Sequence, residues 1–245
     1  MELNYIQGEK FITLANNKNI FYCKGELVYN FFNNINFTHD FVLITHNSDN
    51  KINIEKLPSN LKHWFAQNVC VNNPKIESIP IGLENSQWFP EIEKVNKMKH
   101  KINETKKFKN LLYINHDINT NYNERYKPYQ LFRNKSFVNC VEGKNGYGFE
   151  SYIDNIYNHK FVLCPEGNGT DTHRTWECLY MDTIPIEKRN INNSFYTDLP
   201  ICFVNDWEEI NEDFLNKEYE RIKNTKFNLH KLDFDYWRNK INNSI

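Results

Sequence analysis

The segment 161–187 combines an apolar run, two glycines and several charged side chains in an order that predicts an anion-binding pocket. We expect a buried strand, a glycine-containing loop, a helix that Asp171 or Thr172 can cap, and a second strand. Arg174 falls in the first turn of that helix, where a positive charge opposes the helix dipole. Its position is better explained if a negatively charged ligand binds beside it. Glu177 follows three residues later and projects from the same face.

This segment supplies most of the predicted ligand-binding side chains. His173 and Arg174 bring hydrogen-bond donors to a phosphate, and Glu177 can accept hydrogen bonds from a ribose diol. Glycines let backbone N–H groups approach a ligand closely, so the preceding loop is predicted to contribute too. The residues of that loop are Gly167, Asn168, Gly169, Thr170 and Asp171. The alternative is a plain strand–turn–helix connection that carries a surface arginine.

A second polar loop follows the apolar run 110–115. It contains Thr120 and Asn121, and Arg125 lies near the start of the helix predicted after it. The loop has no glycine and is therefore not a dinucleotide-binding fingerprint. It predicts either a second set of anion-binding groups or an ordinary hydrogen-bonded turn.

Candidates for a general base follow two further strands. His46 ends the apolar run 41–46 and Asp49 comes just after it, while Glu84 follows the predicted strand 76–83. A histidine or carboxylate at a strand end can accept a proton from a reacting hydroxyl. The alternatives are an Asx-type turn around Asp49 and a solvated loop carboxylate at Glu84.

Metal and disulfide patterns are weak. Asp233-Phe234-Asp235 matches the short D-x-D pattern of metal-dependent sugar transferases, but it lies in a late polar segment and is interpreted as a chance match. We therefore predict no metal ligands and no cofactor. The six cysteines form no C-x-x-C pair, which favours reduced core thiols over a disulfide set or a zinc site.

The elements that must position these residues alternate along the chain, which predicts an α/β fold with mostly parallel sheets. In the first half, strands are predicted at 11–15, 20–23, 41–46 and 76–83, and helices at 27–34 and 61–67. In the second half, strands are predicted at 110–115, 136–141, 160–164, 183–187 and 201–204. Helices there are predicted at 123–132, 150–158, 173–181 and 193–199, and the tail from 207 onward is predicted to be helical.

The change in composition around residues 89–109, which are rich in lysine, predicts a linker between two α/β halves. We expect an N-terminal Rossmann-like domain at 1–95, a C-terminal one at 106–228, and a final helix at 229–245 that can return to the first domain. The alternative is a charged surface helix within a single domain.

Composition excludes several classes of function. The net charge of −1 argues against non-specific binding to nucleic acid, which needs a basic excess. No stretch reaches the roughly 20 apolar residues that span a bilayer. The first residues lack the apolar block of a signal peptide, so a cytoplasmic location is expected.

The segment 161–187 resembles the donor-binding part of exostosin-like glycosyltransferases, which are related to family 47 of that enzyme class. The resemblance rests on Cys164-Pro165, the loop 167–171, Arg174 with Glu177, and Ile184-Pro185-Ile186. Residues 196–200, Trp207, and Thr120-Asn121 with Arg125 are also similar to that family. The segments 46–49, 64–68 and 80–83 resemble parts of the acceptor half in short bacterial or viral relatives.

The resemblance implies a GT-B architecture, in which two Rossmann-like domains face each other across a cleft. It implies a nucleotide-sugar donor, of which UDP-sugars are the first choice, and a glycan or glycoprotein acceptor. It also implies transfer that inverts the anomeric carbon and needs no metal. In such a reaction Arg174, Arg125 and His173 would stabilise the leaving diphosphate. Asp49 is our first choice of base, ahead of His46 and Glu84.

Two alternatives remain open. One is a non-catalytic nucleotide- or sugar-binding protein of the same fold. The other is a different nucleotide-using α/β enzyme, including a metal-dependent GT-A transferase.

Overall fold

The computed structural model describes residues 3–16, 18–34, 37–88, 91–141 and 148–245. In these residues the chain forms two parallel sheets flanked by helices, as an α/β fold requires. The helices are α1 (Gly8–Ile12), α2 (Val28–Asn34), α3 (Glu91–Ile102), α4 (Tyr122–Phe132), α5 (Phe149–Tyr157), α6 (His173–Tyr180), α7 (Glu212–Lys223) and α8 (Phe234–Asn242). Short 3-10 helices span Gly25–Leu27, Ile118–Thr120, Asn193–Tyr196, Trp207–Glu209 and Leu229–Leu232.

The first sheet has four strands in chain order: β1 (Ile20–Lys24), β2 (Phe41–His46), β3 (Leu61–Ala66) and β4 (Ile76–Ser78). All neighbouring pairs are parallel. Every residue of β2 is buried, which explains its continuous apolar run.

Three predictions in this half were wrong. Residues 61–67 are not a helix, because their apolar run is short and rich in aromatic residues that favour a strand, and most of them form β3. Residues 11–15 are not a strand, because α1 already includes Phe11, which is buried, and Ile12, which is exposed. The strand predicted at 76–83 ends at Ser78, because Pro80 lacks an N–H donor and Gly82 has a φ of 68°.

The second sheet has five parallel strands in the order β6-β5-β7-β8-β9. They are β5 (Asn110–Ile114), β6 (Val138–Cys140), β7 (His159–Leu163), β8 (Ile184–Lys188) and β9 (Cys202–Val204). The five strands predicted here are confirmed. So are the helices predicted at 27–34, 123–132, 150–158 and 173–181, whereas 193–199 contains only a short 3-10 helix.

The two sheets share one hydrophobic cluster. It contains Ile44 and Phe65 of the first sheet, Val162 of the second, Trp176 of α6 and Trp237 of α8. Separate clusters fill the outer faces of each sheet. The two sheets therefore pack around a common core.

The C-terminal helix contacts the start of the chain. The N–H of Phe234 donates to the Asn4 carbonyl over 2.8 Å, and the ring of Phe234 packs 5.3 Å from that of Phe11. Lys240 of α8 pairs with Glu77 of β4. Helix α3 occupies most of the predicted linker, whose residues 89 and 90 lie outside the described residues, and the division into domains stays a prediction.

Candidate functional site

The order of strands in the second sheet creates a crevice between β5 and β7. The chain leaves β5 toward β6 on one side and later continues from β7 toward β9 on the other. Ligands of such sheets bind beyond the carboxyl ends of the strands at this switch point. A pocket of about 390 Å³ lies there, and we call it the switch-point pocket. Predicted site residues that line it are Asp49, Glu84, Thr120, Arg125, Gly167, Asn168, Gly169, Asp171, His173, Arg174 and Glu177.

A second pocket, of about 520 Å³, adjoins the first, and we call it the adjoining pocket. Asp49, Ile81, Glu84 and His173 line both pockets. His46 lines only the adjoining pocket, so all three candidate bases border it. Two predicted residues, Asn121 and Thr170, line neither pocket.

Arg174 lies in the first turn of α6 and is half-buried. Its Nε donates to the hydroxyl of Tyr152 over 3.4 Å, and its guanidinium lies 5.8 Å from the centre of the Tyr152 ring. Among the described residues it has no other hydrogen-bond partner and no ion pair. Because a guanidinium has five N–H donors, most of them remain available to a ligand in the pocket.

Arg125 joins the two loops of the crevice. Its Nε donates to the Glu166 carbonyl after β7 and its Nη1 to the Asp117 carbonyl after β5, each over 2.9 Å. Burial, and secondly the charge of Arg174, lower the pKa of Arg125 to about 10. Neither arginine forms an ion pair with a carboxylate of a described residue. The pocket therefore contains two positive charges that an anion could neutralise.

His116 lies close to the two arginines, and their positive charge affects its pKa. Burial and then the charge of Arg174 lower the pKa of His116 to about 4, so its ring is neutral at pH 7. Its Nε2 lies 3.0 Å from the Arg125 carbonyl and must donate to it, and its Nδ1 has no partner among the described residues.

Tyr152 is a pocket residue that sequence reasoning missed. Its hydroxyl donates to Oε2 of Glu177, which is only 8% exposed. Burial, and then the Glu177 carboxylate, raise the pKa of Tyr152, so the phenol remains a donor. Tyr152 lies on α5, and nothing in its local sequence distinguishes it from an ordinary helix residue that packs on the core.

The glycine loop is shaped by neighbouring side chains. A Cβ at Gly169 would lie 2.7 Å from Nδ2 of Asn68, and one at Gly167 would lie 3.0 Å from Nη2 of Arg125. Asn121 caps α4 and donates to the Gly167 carbonyl over 2.8 Å. Thr170 is buried, with its hydroxyl 3.5 Å from the thiol of Cys70. These contacts hold the glycine loop in place.

Asp171 joins the loop after β4 to the start of α6. Its Oδ2 accepts from the N–H of Ile81 over 2.8 Å, and its Oδ1 accepts from the N–H of Thr172 and from Nε1 of Trp176, each over 2.9 Å. Burial raises the pKa of Asp171 to about 6. The N-cap of α6 is Thr172, whose side chain makes no capping hydrogen bond.

His173 and Glu84 meet where the two pockets join. The imidazole Nδ1 lies 2.8 Å from the Gly82 carbonyl, to which it must donate, and Nε2 lies 3.3 Å from Oε2 of Glu84. The other oxygen of Glu84 accepts from the N–H of Asn85 over 3.1 Å. Both oxygens of Glu84 therefore already have partners.

The other two candidate bases differ sharply. His46 is 1% exposed, its Nε2 faces the Pro80 carbonyl at 2.9 Å, and its Nδ1 accepts from the N–H of Asn47 over 2.8 Å. Burial lowers the pKa of His46 to about 4, so the ring is neutral and both nitrogens are occupied. Asp49 is exposed, and its carboxylate has no hydrogen bond or ion pair with a described residue. Of the three candidates, Asp49 is therefore the one whose side chain is unoccupied by the described residues.

The D-x-D segment has a structural role. Asp233 caps α8 by accepting from the N–H of Asp235, and Asp235 accepts from Asn4 over 3.0 Å and pairs with Arg238. Within the described ranges, no three histidine, cysteine, aspartate or glutamate residues cluster as metal ligands would. None of the six cysteines, which all lie in the described ranges, forms a disulfide bond.

Comparison with protein-family models finds no match for this chain. Comparison with curated proteins also finds none. The described part of the chain contains no helix with the length and apolar character needed to cross a membrane.

Proposed function

We propose that the protein is an inverting glycosyltransferase of GT-B type, which moves a sugar from a UDP-sugar to a hydroxyl of a glycan or glycoprotein. One observation carries this proposal. Arg125 and Arg174 line a pocket at the strand-order switch point without a carboxylate partner among the described residues, and that pocket opens onto a second one at Asp49. Such an arrangement provides an anion-binding pocket for one substrate and a general base for a second substrate beside it.

The donor would bind with its diphosphate against Arg174 and the start of α6. Arg174 keeps most of its N–H donors available, and Arg125 adds a second positive charge. Positive charge held in place before reaction stabilises the negative charge that develops on a leaving diphosphate. Glu177 uses Oε2 for Tyr152, which leaves Oε1 to accept from a ribose hydroxyl.

The acceptor would lie in the adjoining pocket with its hydroxyl near Asp49. Asp49 takes the proton of that hydroxyl while the oxygen forms a bond to the anomeric carbon. The bond from this carbon to the diphosphate breaks at the same time, and UDP leaves with the electron pair. A single displacement from the opposite face inverts the anomeric carbon. The proposed cleft between two Rossmann-like domains is supported by pocket linings drawn from both halves of the chain.

The first experiment is a thermal-shift screen against nucleotide sugars, because a ligand that binds the folded state raises its stability, and a tighter ligand raises it more. Release of UDP is then measured with the best donor, a mixture of glycans, and a chelator. We expect turnover that persists with the chelator. Binding of UDP with no hydrolysis or transfer would instead favour a binding protein, and a strict need for manganese would favour a metal-dependent transferase.

A further inference from the structure

The adjoining pocket contains features that the proposed donor does not use. Its volume of about 520 Å³ is in the usual range for small-molecule sites. Besides the residues that it shares with the switch-point pocket, it is lined by Gln67, Trp88, Glu9 and Lys24. The other residues that line only this pocket are Ile12, His46, Asn47, Ser48, Asn85 and Gln87.

Gln67 points to a ligand that offers hydroxyl groups. It is 4% exposed and follows directly after β3, where its backbone N–H donates to the Thr45 carbonyl over 2.9 Å. Its amide oxygen is buried and has no hydrogen-bond partner among the described residues. Buried polar groups are almost always paired, with protein or with ordered water, so this oxygen is available to accept from water or from a hydroxyl group of a molecule bound in the pocket.

Trp88 supplies an apolar face to the same pocket. It is 70% exposed, although a large aromatic side chain is normally covered in a folded protein. The turn that carries it is fixed, because Glu9 accepts from the N–H of Ser86 over 3.1 Å and the N–H of Trp88 donates to the Asn85 carbonyl over 2.9 Å. A pyranose ring has an apolar C–H face that suits the electron-rich face of an indole.

The charges of the lining select against anions. Glu9, Asp49 and Glu84 contribute three carboxylates, whereas Lys24 contributes one permanent positive charge and His173 is already paired with Glu84. His46 is neutral, because burial lowers its pKa to about 4. Carboxylates line both pockets, but only the switch-point pocket also contains arginines, whose N–H donors can pair with an anion directly. A carboxylate or sulfate on the second substrate would be repelled here.

We infer that the adjoining pocket binds a neutral or amine-bearing pyranose at the end of the acceptor glycan, stacked on Trp88 and hydrogen-bonded to Gln67, and that it excludes anionic sugars. This inference rests on the proposed function, since it takes the second substrate to be a glycan. It narrows the acceptor class to sugars such as hexoses, N-acetylhexosamines and hexosamines.

The test is titration of the protein, with and without an excess of UDP, with methyl glycosides of glucose, galactose, N-acetylglucosamine, glucosamine and glucuronate, followed by NMR. We expect binding of at least one neutral or amino glycoside, and binding of the glucuronide at least about tenfold weaker. Trp88→Ala and Gln67→Met should each lower the affinity for the glycoside that binds by at least about tenfold. Tyr29→Ala is the matched control, because Tyr29 is also an exposed aromatic residue but lines neither pocket.

Stability measurements separate recognition from folding. Gln67→Met removes a polar group without a partner, so its unfolding midpoint should equal or exceed that of the wild type. A lower midpoint together with weaker sugar binding would assign Gln67 a structural role and overturn its part in recognition. The inference as a whole is overturned if no neutral or amino glycoside binds, if the glucuronide binds as tightly, or if Trp88→Ala and Gln67→Met leave binding unchanged.

Binding of UDP, measured on the same samples, distinguishes this inference from the proposed function. Failure of UDP to bind, with glycoside binding as expected, would contradict the function and leave the sugar pocket standing. Normal UDP binding with any of the overturning results above would contradict the acceptor assignment alone.

Discussion

His173 and Glu84 lie 3.3 Å apart, Nε2 to Oε2, and this contact joins the start of α6 to the loop that follows β4. Since Nδ1 of the same ring donates to the Gly82 carbonyl, a hydrogen bond to Glu84 requires a second proton, on the imidazole or on the carboxyl group. Glu84 is therefore a partner of His173 rather than an unoccupied base. Asp49, on the wall common to both pockets, has no such partner among the described residues.

We predict that Asp49→Asn slows sugar transfer by about 10²–10⁴-fold, because the acceptor hydroxyl loses the group that takes its proton. The affinity for UDP should not fall, since Asp49 has no hydrogen bond or ion pair with the arginines that we propose bind the phosphates and the change removes only a negative charge. Steady-state transfer and calorimetric titration with UDP measure the two quantities. Glu84→Gln is assayed alongside it: normal turnover by Asp49→Asn with slow turnover by Glu84→Gln would move the base to Glu84.

Gly169→Ala should lower the free energy of unfolding by about 1–3 kcal/mol, which is the usual cost of forcing extra volume into a packed site. The new Cβ would lie 2.7 Å from Asn68, whose amide donates to the Ser48 carbonyl and accepts from the N–H of Asp171. Urea denaturation measures the change. Gly148→Ala is the control, because its Cβ meets nothing within 4 Å and only the N-cap preference is lost, at less than about 1 kcal/mol. Equal stability of the two variants would contradict the packing described around Asn68.

Glu187→Gln should stabilise the protein at alkaline pH. Burial raises the pKa of Glu187 from 4.5 to about 7, so ionisation of this carboxyl opposes folding. The folded state is therefore favoured fully below about pH 4.5, where this carboxyl is protonated in both states. That stability is lost as the pH rises through about 7 and the buried group ionises. Glutamine keeps both hydrogen bonds, since it can accept from Asn193 and donate to the Thr175 hydroxyl.

The expected gain for Glu187→Gln at pH 8 is about 1–3 kcal/mol, which corresponds to roughly 2–4 °C in Tm for each kcal/mol. The difference from the wild type should shrink as the pH is lowered toward 4.5. Thermal unfolding at pH 8 and pH 5 measures both. A variant that is less stable at pH 8, or whose gain does not depend on pH, would show that the carboxylate is not destabilised by burial.

The sequence predicted the second sheet well because each of its strands is an apolar run bounded by polar residues. The loops at the ends of β5 and β7 could be placed side by side, since parallel strands end at the same edge of the sheet. The first sheet was harder. Leu61, Trp64 and Phe65 repeat at helical spacing, although Trp64 pairs with Leu43 in a parallel strand.

The remaining residues of the candidate site can be recognised only from tertiary contacts. Tyr152 becomes a site residue only because α5 places its hydroxyl on Glu177, 25 positions later. Gln67 becomes a candidate only because the fold places it beside the adjoining pocket with a buried amide oxygen that no described residue pairs with. His46, conversely, was a sound candidate base by type and position, and only the fold shows that Pro80 and Asn47 occupy its ring. Local sequence carries none of this information.

The central claim is that Arg174 holds the diphosphate of a nucleotide-sugar, and calorimetric titration with UDP in the presence of a chelator tests it most directly. We predict that the wild type binds UDP and that Arg174→Ala weakens binding by at least about tenfold, or about 1.4 kcal/mol. Arg133→Ala, which removes an exposed arginine that lines neither pocket, should bind as the wild type does. Affinity of Arg174→Ala for UDP equal to that of the wild type would contradict the account.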